Sequence, residues 1–309
     1  MKKKILIAGG IGFIGYHLCI KLLKKNKVIV VDDLSTANKH NLILLKKYKN
    51  FKFIKKNIQN KFSLECDEIY NLACPASPIK YQKNPIDTIK TNIFGTINLL
   101  EIAKTNNAKI FQASTSEVYG DPLVHPQKED YKGNVNTIGI RACYDEGKRL
   151  AESIFFDYKR TYNINIKIAR IFNTYGPNMN PDDGRVMSSF IIAAIKNEPL
   201  KINGNGDQTR SFCYVEDTVN GIIKLMNSNS KICGPVNLGS TKEITMNYLV
   251  KKIISKTSSD SKIIHLNKVA DDPIKRKPSI KLAKELLKWE NQTSLDEGIK
   301  KTIKYFKNI

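Results

Sequence analysis

Tyr144 and Lys148 lie four positions apart in a segment whose pattern is typical of a helix. Side chains at this spacing lie on the same helix face, one turn apart. A lysine ammonium beside a phenol favours the phenolate, so the spacing predicts a Tyr144 pKa below the usual value of about 10. Such a tyrosine is a base that can take a proton from a hydroxyl group near neutral pH. The pair therefore indicates redox chemistry at a carbon that bears a hydroxyl.

A glycine-rich turn, Gly9-x-x-Gly12-x-x-Gly15, follows the apolar run 5–8 and precedes a predicted helix. Glycine allows a tight turn and a close approach of backbone to a pyrophosphate, whose charge the helix N-terminus favours. Asp32 ends the next apolar run, where an acid can bind the adenosine ribose diol and repel a ribose phosphate. The sequence thus predicts NAD rather than NADP. Tight turns with a purely structural purpose are the alternative for both features.

Polar side chains also follow the predicted strand 109–114. The carboxyl end of a central parallel strand lies beside the nicotinamide in dinucleotide-binding sheets. Thr115 or Ser116 can hydrogen-bond the hydroxyl that is oxidised, and Glu117 is an acid or base slightly farther away. A hydroxyl-rich loop that caps the next segment is the alternative, and it explains Ser114 better than it explains the whole set.

The elements that must position these residues alternate along the chain. Strands are predicted over 5–8, 28–31, 51–55, 68–73, 109–114 and 165–171, and helices over 17–25, 85–106 and from Tyr144 to about 162. This alternation is typical of an α/β fold with a doubly wound parallel Rossmann sheet. Because the alternation weakens near residue 175, we expect an NAD-binding domain over 1–175, with a return segment near 210–235. A smaller C-terminal α/β substrate-binding lobe is expected over 176–309.

The chain has 309 residues and a formal charge of +22, but only seven of its 51 basic residues are arginine. Nucleic-acid modules usually read bases and phosphates with arginine. We therefore interpret the lysines as surface composition and expect no nucleic-acid partner. The six cysteines lack metal-ligand spacing, and no apolar run has transmembrane length. We expect no metal, no membrane partner and a cytoplasmic protein with reduced thiols.

Together the glycine turn, Ser-Thr-Ser-Glu at 114–117 and Tyr144-x-x-x-Lys148 resemble the extended short-chain dehydrogenase/reductase family of nucleotide-sugar epimerases, dehydratases and decarboxylases. Six longer strings resemble its decarboxylating members: STSEVYGDP (114–122), HPQ before EDY (125–131), RACYDEGKR (141–149), RIFNTYGP (170–177), DDGRV (182–186) and DDPIKRKP (271–278). Ser116 stands where the dehydratases place an aspartate, and the 4-epimerases generally lack Glu117. Both differences favour decarboxylation.

The resemblance implies that UDP-glucuronate, a UDP-sugar acid, is converted to UDP-xylose. Tyr144 would take the C4 hydroxyl proton while hydride passes to NAD, and the C5 carboxylate would leave as carbon dioxide from the 4-keto intermediate. C5 would be reprotonated and hydride would return to C4, so that NAD is regenerated. Lys148 would hold the ribose and tune Tyr144, while Thr115 and Glu117 would orient the sugar and assist proton movement.

The resemblance also implies two sets of binding residues. The cofactor set is Gly9, Gly12, Phe13, Ile14, Gly15, Asp32, Asp33, Asn57, Ile58, Leu72, Ala73, Thr91, Tyr144 and Lys148. The substrate set is Pro75, Ser77, Tyr81, Glu117, Asn173, Arg185, Arg210 and Arg276. Asn57 and Asn203 depart from the family pattern, at positions that usually carry an aspartate near adenine and an aromatic near the base.

A homodimer is implied through the helix of about 85–106 and the Tyr144 helix. Three other interpretations stay open at this point. One is an oxidative decarboxylase that releases the UDP-4-keto-pentose and NADH, and another is a different nucleotide-sugar epimerase or dehydratase. The third is an RNA-binding relative without enzymatic activity.

Overall fold

A seven-stranded parallel sheet forms the centre of the protein, as seen in a computed structural model that describes residues 2–267 and 275–309. Part of the DDPIKRKP string therefore lies outside the described residues. The strands are β1 Lys4–Ala8, β2 Lys27–Asp32, β3 Phe51–Lys55, β4 Glu68–Asn71, β5 Lys109–Thr115, β6 Ile166–Ile171, β7 Thr174–Tyr175, β8 Leu200–Asn203, β9 Thr209–Ser211, β10 Cys213–Tyr214, β11 Val236–Leu238, β12 Glu243–Thr245, β13 Ile263–Leu266 and β14 Lys275–Arg276. The central sheet has the order β11-β6-β5-β4-β1-β2-β3. This order confirms the predicted doubly wound Rossmann sheet.

Helices cover both faces of the sheet, which explains why its strands read as continuous apolar runs. They are α1 Phe13–Leu23, α2 Lys39–Leu45, α3 Pro78–Lys83, α4 Pro85–Lys90, α5 Thr96–Asn106, α6 Ala142–Tyr162, α7 Val186–Ile195, α8 Val215–Met226, α9 Met246–Thr257, α10 Lys281–Leu287 and α11 Leu295–Phe306. Ile5 and Ile7 of β1 pack into the core on one face, and Leu6 and Ala8 pack into the core on the other. The alternation of a central strand thus fills both cores.

Two helix boundaries differ from the sequence prediction. The helix predicted from residue 17 begins at Phe13, because Gly12 adopts the extended N-cap conformation and Gly15 can pack directly against the turn. The helix predicted over 85–106 is interrupted by a π-helical turn at Thr91–Gly95. The strands predicted before residue 172 are present, with ends that shift by at most two residues.

Beyond residue 175 the chain contributes to two regions. Strand β11 joins the edge of the central sheet beside β6, and α8 packs against α1. Strand β9 lies between β12 and β14, β13 pairs with β8, and α7 packs against α9. The proposed boundary at residue 175, with its return segment, stays a prediction.

Of the helices in the described ranges, none combines the length and hydropathy that a membrane span requires. In those same ranges, no cluster of His, Cys, Asp and Glu side chains has the arrangement of a metal site.

Candidate active site

A cavity of about 590 Å³ lies at the carboxyl ends of β1, β4, β5 and β6, and residues of the C-terminal region close it. Most of the predicted site residues line it: Gly9, Gly12, Phe13, Ile14, Gly15, Leu72, Ser77, Tyr81, Thr115, Ser116, Glu117, Tyr144, Lys148, Asn173, Arg185, Arg210 and Arg276. Seven predicted residues do not line it: Asp32, Asp33, Asn57, Ile58, Ala73, Pro75 and Thr91. The structure thus brings the catalytic candidates together with most of both binding sets.

The glycine turn after β1 forms one end of this cavity. Gly9 has φ +75°, and a side chain there would place its Cβ 2.7 Å from the backbone N of Ala73. A Cβ on Gly15 would lie 2.4 Å from the carbonyl oxygen of Gly9. Gly12 is the N-cap of α1 and has no side chain that could bond to the first backbone N–H groups of the helix. Gly12 and Phe13 both line the cavity, so the N-terminus of α1 faces it. This cradle fits a pyrophosphate.

Asp32 lies directly behind the glycine turn. Its Oδ2 accepts a hydrogen bond from the Ile11 N–H at 3.1 Å, and its Oδ1 accepts one from the Leu34 N–H at 2.8 Å. Burial raises the pKa of Asp32, and these two hydrogen bonds oppose the increase. The carboxylate therefore holds the turn in place, and its predicted contact with a ribose stays a prediction.

The other predicted cofactor residues outside the cavity make local contacts. The Asn57 side chain accepts a hydrogen bond from the Gln59 N–H at 2.9 Å, and the Gln59 amide donates to the Thr91 hydroxyl at 2.9 Å. Ile58 packs against Gly95, and Asp33 accepts a hydrogen bond from the Ser35 N–H at 2.9 Å. Ala73 lies against Gly9, and the Pro75 carbonyl accepts a hydrogen bond from the Cys74 thiol at 3.4 Å.

Tyr144 and Lys148 are both buried in the first half of α6 and both line the cavity. The Tyr144 ring stacks on Tyr81 with the ring centroids 4.9 Å apart. Lys148 Nζ donates a hydrogen bond to the Ala113 carbonyl at 3.0 Å and lies 5.8 Å from the Tyr144 ring centroid. The lysine is thus fixed to the end of β5, beside the tyrosine.

The predicted decrease in the Tyr144 pKa is wrong for this structure. Burial raises the pKa of Tyr144 well above its usual value, and a hydrogen bond with Thr115 opposes this only in part. Burial also lowers the pKa of Lys148. Helical spacing places an ammonium near a phenol, but it does not show how far both groups are removed from water, and here desolvation dominates.

Glu117 lines the cavity and is held between two guanidinium groups. The Thr115 hydroxyl accepts a hydrogen bond from the Glu117 N–H at 3.2 Å and so caps the short 3-10 helix Ser116–Tyr119. Arg276 donates from Nη1 to Oε1 at 2.5 Å and from Nη2 to Oε2 at 2.9 Å, and Arg141 Nη2 donates to Oε2 at 2.5 Å. Burial alone would raise the pKa of Glu117, but Arg276, Arg141 and Arg210 outweigh it and hold the pKa below its usual value. Glu117 is therefore an anion at neutral pH.

The sequence did not indicate the contact between Arg276 and Glu117. Strand β14 pairs with β9 so that Arg276 and Arg210 are register partners, and the two predicted arginines lie side by side at the cavity. The pairing joins segments more than sixty residues apart, and no local pattern predicts it.

The remaining predicted substrate residues line the cavity from other sides. Ser77 Oγ and Tyr81 OH are buried and have no hydrogen-bond partner among the described residues. Asn173 follows β6, and its carbonyl accepts a hydrogen bond from the Cys213 N–H at 2.9 Å. Arg185 pairs with Asp183, and its guanidinium lies 5.8 Å from the Phe13 ring centroid. Substrate hydroxyls or carboxylate oxygens are suitable partners for the two orphan hydroxyls.

Sequence reasoning missed Arg141, Asp145 and Cys74. Arg141 precedes Tyr144 by three positions and Lys148 by seven, so the helical period puts all three on one face, and this signal could have found it. Asp145 is buried beside Arg141, with Oδ2 3.9 Å from the Arg141 Nε. Cys74 lines the cavity and accepts a hydrogen bond from the Asn92 amide at 3.3 Å. Nothing in the local sequence distinguishes Cys74 from a core cysteine.

The model of the family described as GDP-mannose 4,6 dehydratase matches residues 6–302 of this chain. The chain is 51% identical over 298 residues to UDP-glucuronic acid decarboxylase 3 of Arabidopsis thaliana, covering 96% of this chain and 86% of that protein. It is 48% identical over 307 residues to UDP-glucuronic acid decarboxylase 1 of Xenopus tropicalis, covering 99% of this chain and 72% of that protein.

Two solved structures share the fold at lower identity. UDP-glucose 4-epimerase of Thermotoga maritima with UDP-glucose superposes with a TM-score of 0.90, at 29% identity and 99% coverage of both chains. UDP-glucuronic acid 4-epimerase of Bacillus cereus, in complex with UDP-glucuronic acid and NAD, superposes with a TM-score of 0.89, at 28% identity and 99% coverage of both chains. With the family match over nearly the whole chain, these findings confirm the predicted resemblance: the chain belongs to the GDP-mannose 4,6-dehydratase family of extended short-chain dehydrogenase/reductases.

Proposed function

We propose that this protein decarboxylates UDP-glucuronate to UDP-xylose with NAD, which is regenerated in each turnover. The observation that carries the proposal is the meeting of Tyr144 and Lys148 with an arginine-bound Glu117 in one cavity. The names of the relatives at about half identity support the substrate and the reaction. The bound UDP-glucuronic acid and NAD of the Bacillus cereus neighbour support the same ligand classes.

The glycine turn fits NAD. Gly9, Gly12 and Gly15 would hold the pyrophosphate at the N-terminus of α1, and Asp32 behind the turn disfavours the extra phosphate of NADP. Lys148, fixed to the Ala113 carbonyl, would hold the nicotinamide ribose. NAD held there would supply an acceptor and donor of hydride beside the sugar.

Tyr144 is the proposed base for the C4 hydroxyl. Because burial raises the pKa of Tyr144, its phenolate must be stabilised where it forms. The Thr115 side chain favours the charged form of Tyr144 and lowers its pKa in part, and the Lys148 ammonium lies 5.8 Å from the ring centroid. In this account Tyr144 receives the hydroxyl proton as the C4–H bond breaks and gives a proton back when C4 is reduced.

Oxidation at C4 makes the sugar a β-keto acid. The bond between C5 and the carboxylate then breaks, carbon dioxide leaves, and the electron pair moves into the C4 carbonyl to give an enolate. C5 takes a proton before C4 can be reduced again. Ser77 and Tyr81 offer the sugar two hydroxyls that have no partner within the described part of the chain, and Arg185 and Arg210 offer guanidinium groups to the diphosphate.

We also propose that the protein is a homodimer. Exposed apolar side chains lie on two neighbouring helical segments: Ile86 and Phe94 on the segment that contains α4, and Leu150 and Tyr162 on α6. Phe94→Lys should dissociate the dimer in sedimentation, whereas Ile43→Lys, at an exposed isoleucine of α2, should not.

A cytoplasmic location is part of the proposal, and the six free cysteines support it.

The test is incubation of the protein with UDP-glucuronate and NAD, followed by NMR of the sugar nucleotide. We expect UDP-xylose and carbon dioxide without net NADH. Tyr144→Phe should lower the rate by at least ~10²-fold, whereas Tyr248→Phe, at an exposed position of α9, should not change it.

Other outcomes replace the proposal with a named alternative. Stoichiometric NADH with a 4-keto-pentose product indicates the oxidative decarboxylase. The C4 epimer of UDP-glucuronate indicates an epimerase. No turnover, together with a salt-dependent shift of RNA, indicates the binding protein.

A further inference from the structure

The proposed reaction consumes one proton in every turnover, because the carboxylate that leaves as neutral carbon dioxide is replaced by hydrogen at C5. Tyr144 does not supply this proton in net terms, since the proton that it takes from C4 is returned to C4. A second source must therefore reach the cavity. This need for a second proton source rests on the proposed function.

A second, smaller cavity of about 180 Å³ lies next to the main one. It is lined by Glu117, Gly120, Asp121, Asn134, Val135, Asn136, Arg141 and Asp145. Glu117 and Arg141 line both cavities, so their side chains form the wall between the two. We call this smaller space the side cavity.

Asp145 lies in the side cavity and does not line the main one. Its residue exposure is 6%, and its Oδ1 accepts no hydrogen bond from any residue in the described part of the chain. Its Oδ2 is 3.9 Å from Arg141 Nε, and Arg141 Nη2 contacts the Glu117 carboxylate at 2.5 Å. A buried carboxylate oxygen without a donor is costly, and a proton on the carboxyl group relieves that cost.

We propose that Asp145 and the side cavity supply the proton that C5 receives, and that Glu117 passes this proton to the main cavity. Asp145 gives its proton to Glu117 across the shared wall, and Glu117 gives a proton to C5 as the enolate electron pair forms the new C–H bond. Asp145 is then reloaded from water through the side cavity. Each turnover moves one proton inward and leaves both carboxyl groups as they began.

The charges around the two carboxyl groups decide which of them holds the proton at rest. Burial, followed by the charge of Glu117, raises the pKa of Asp145 to about 7, while the arginines hold the pKa of Glu117 below its usual value. Near neutral pH a large share of Asp145 therefore holds a proton, and Glu117 is an anion. Transfer from Asp145 to Glu117 is uphill on its own, and it becomes favourable because the enolate carbon that takes the proton from Glu117 is far more basic than either carboxylate. Among the described residues, the titratable and charged groups around Asp145 are Glu117, Arg141, Arg276, Glu146, Asp121, Tyr81 and Cys143.

The plain structural alternative is that Asp145 only holds Arg141 in position. Asp145→Asn distinguishes the two, since asparagine keeps the size and a hydrogen-bonding oxygen but carries no transferable proton. Asp157→Asn is the matched control: it makes the same chemical change farther along α6, at a side chain that is 63% exposed and paired with Arg160.

Supply through Asp145 predicts three results for Asp145→Asn. The rate of UDP-xylose formation falls at least ~10-fold. Bound NADH accumulates in a single turnover, because C4 cannot be reduced until C5 is protonated. The wild-type rate decreases as the pH rises through about 7, where Asp145 loses its proton, and this dependence disappears in the variant. Asp157→Asn behaves like the wild type in all three measurements.

The proposal is overturned if Asp145→Asn turns over normally, or if it is slower with the same pH profile and no accumulation of NADH. Val135→Phe provides an independent variant, because it fills the side cavity without replacing any of the charged side chains that line it, and Val135→Ala leaves the cavity open. Accumulation of NADH in Val135→Phe but not in Val135→Ala supports the route, and normal turnover in both contradicts it. A wild-type protein that makes no UDP-xylose instead rejects the proposed function.

Discussion

Two buried carboxylate–arginine groups lie near the carboxyl end of β5, and they differ in how completely their polar atoms are paired. In the first, which we call the closed pair, Arg170 donates from Nε and Nη2 to Glu152 at 3.0 and 2.8 Å. Its Nη1 donates to the Tyr119 hydroxyl and to the Glu129 carbonyl, both at 3.0 Å. The Ser114 hydroxyl donates to Glu152 from the other side. Neither charged side chain has a buried polar atom without a partner among the described residues.

The second group, which we call the open cluster, joins Glu117 to Arg141 and Arg276. The side chain of Glu117 is 12% exposed and that of Glu152 is 11% exposed, so burial does not distinguish the two groups. The open cluster borders two cavities, and the buried Nε of Arg276 has no partner among the described residues. Incomplete pairing beside a cavity, rather than burial of charge, therefore distinguishes the group that we assign to the substrate site.

The largest effect on stability is expected in the closed pair. Glu152→Gln removes the negative charge and leaves the Arg170 guanidinium uncompensated in the interior. We expect the free energy of unfolding to fall by about 3 kcal/mol. Denaturant unfolding at neutral pH measures it, and Glu146→Gln on the exposed side of α6 is the control. A loss below about 1 kcal/mol would show that the closed pair is not structural.

The open cluster should respond in activity more than in stability. Glu117→Gln keeps the shape of the side chain but removes the carboxylate that we assign to proton transfer, so the rate should fall by ~10²-fold. Its free energy of unfolding should change by less than half as much as in Glu152→Gln, because water and ions can reach the cluster through the cavities. If Glu117→Gln instead loses stability and keeps its rate, the two groups have the opposite roles.

A smaller effect on stability is expected at Tyr119, whose hydroxyl accepts a hydrogen bond from Arg170 of the closed pair. Tyr119 lines neither cavity. Tyr119→Phe removes the hydroxyl that accepts from Arg170 and donates to Asn237 at 2.8 Å. We expect a loss of about 1–2 kcal/mol in the free energy of unfolding, with a rate at saturating substrate within about twofold of the wild type. A large loss of rate with full stability would move Tyr119 into the catalytic site.

The same contrast explains how much the sequence could predict. Gly9 and Gly15 are required by backbone geometry within one turn, and an apolar run before them places that turn at the end of a strand. Tyr144 and Lys148 share a helix, so their spacing settles that they lie together. Features of this kind depend on local sequence, and the structure brings them together as predicted.

The open cluster could not be predicted in the same way. Glu117, Arg141 and Arg276 come from three distant segments, and only the pairing of β14 with β9 brings the last of them to the site. The direction of the Tyr144 pKa shift was also beyond the sequence, because it depends on how the surrounding residues exclude water. Arg141 is the exception, since its helical spacing from Tyr144 and Lys148 was a usable signal.

The central claim is that hydride leaves and returns within one site while the C5 proton comes from solvent. Conversion of UDP-glucuronate in deuterated water, with NMR of the product, tests it most directly. We predict UDP-xylose that carries one deuterium at C5, retains the substrate hydrogen at C4, and forms without net NADH. Deuterium at C4, or NADH equal to the substrate consumed, would contradict the account.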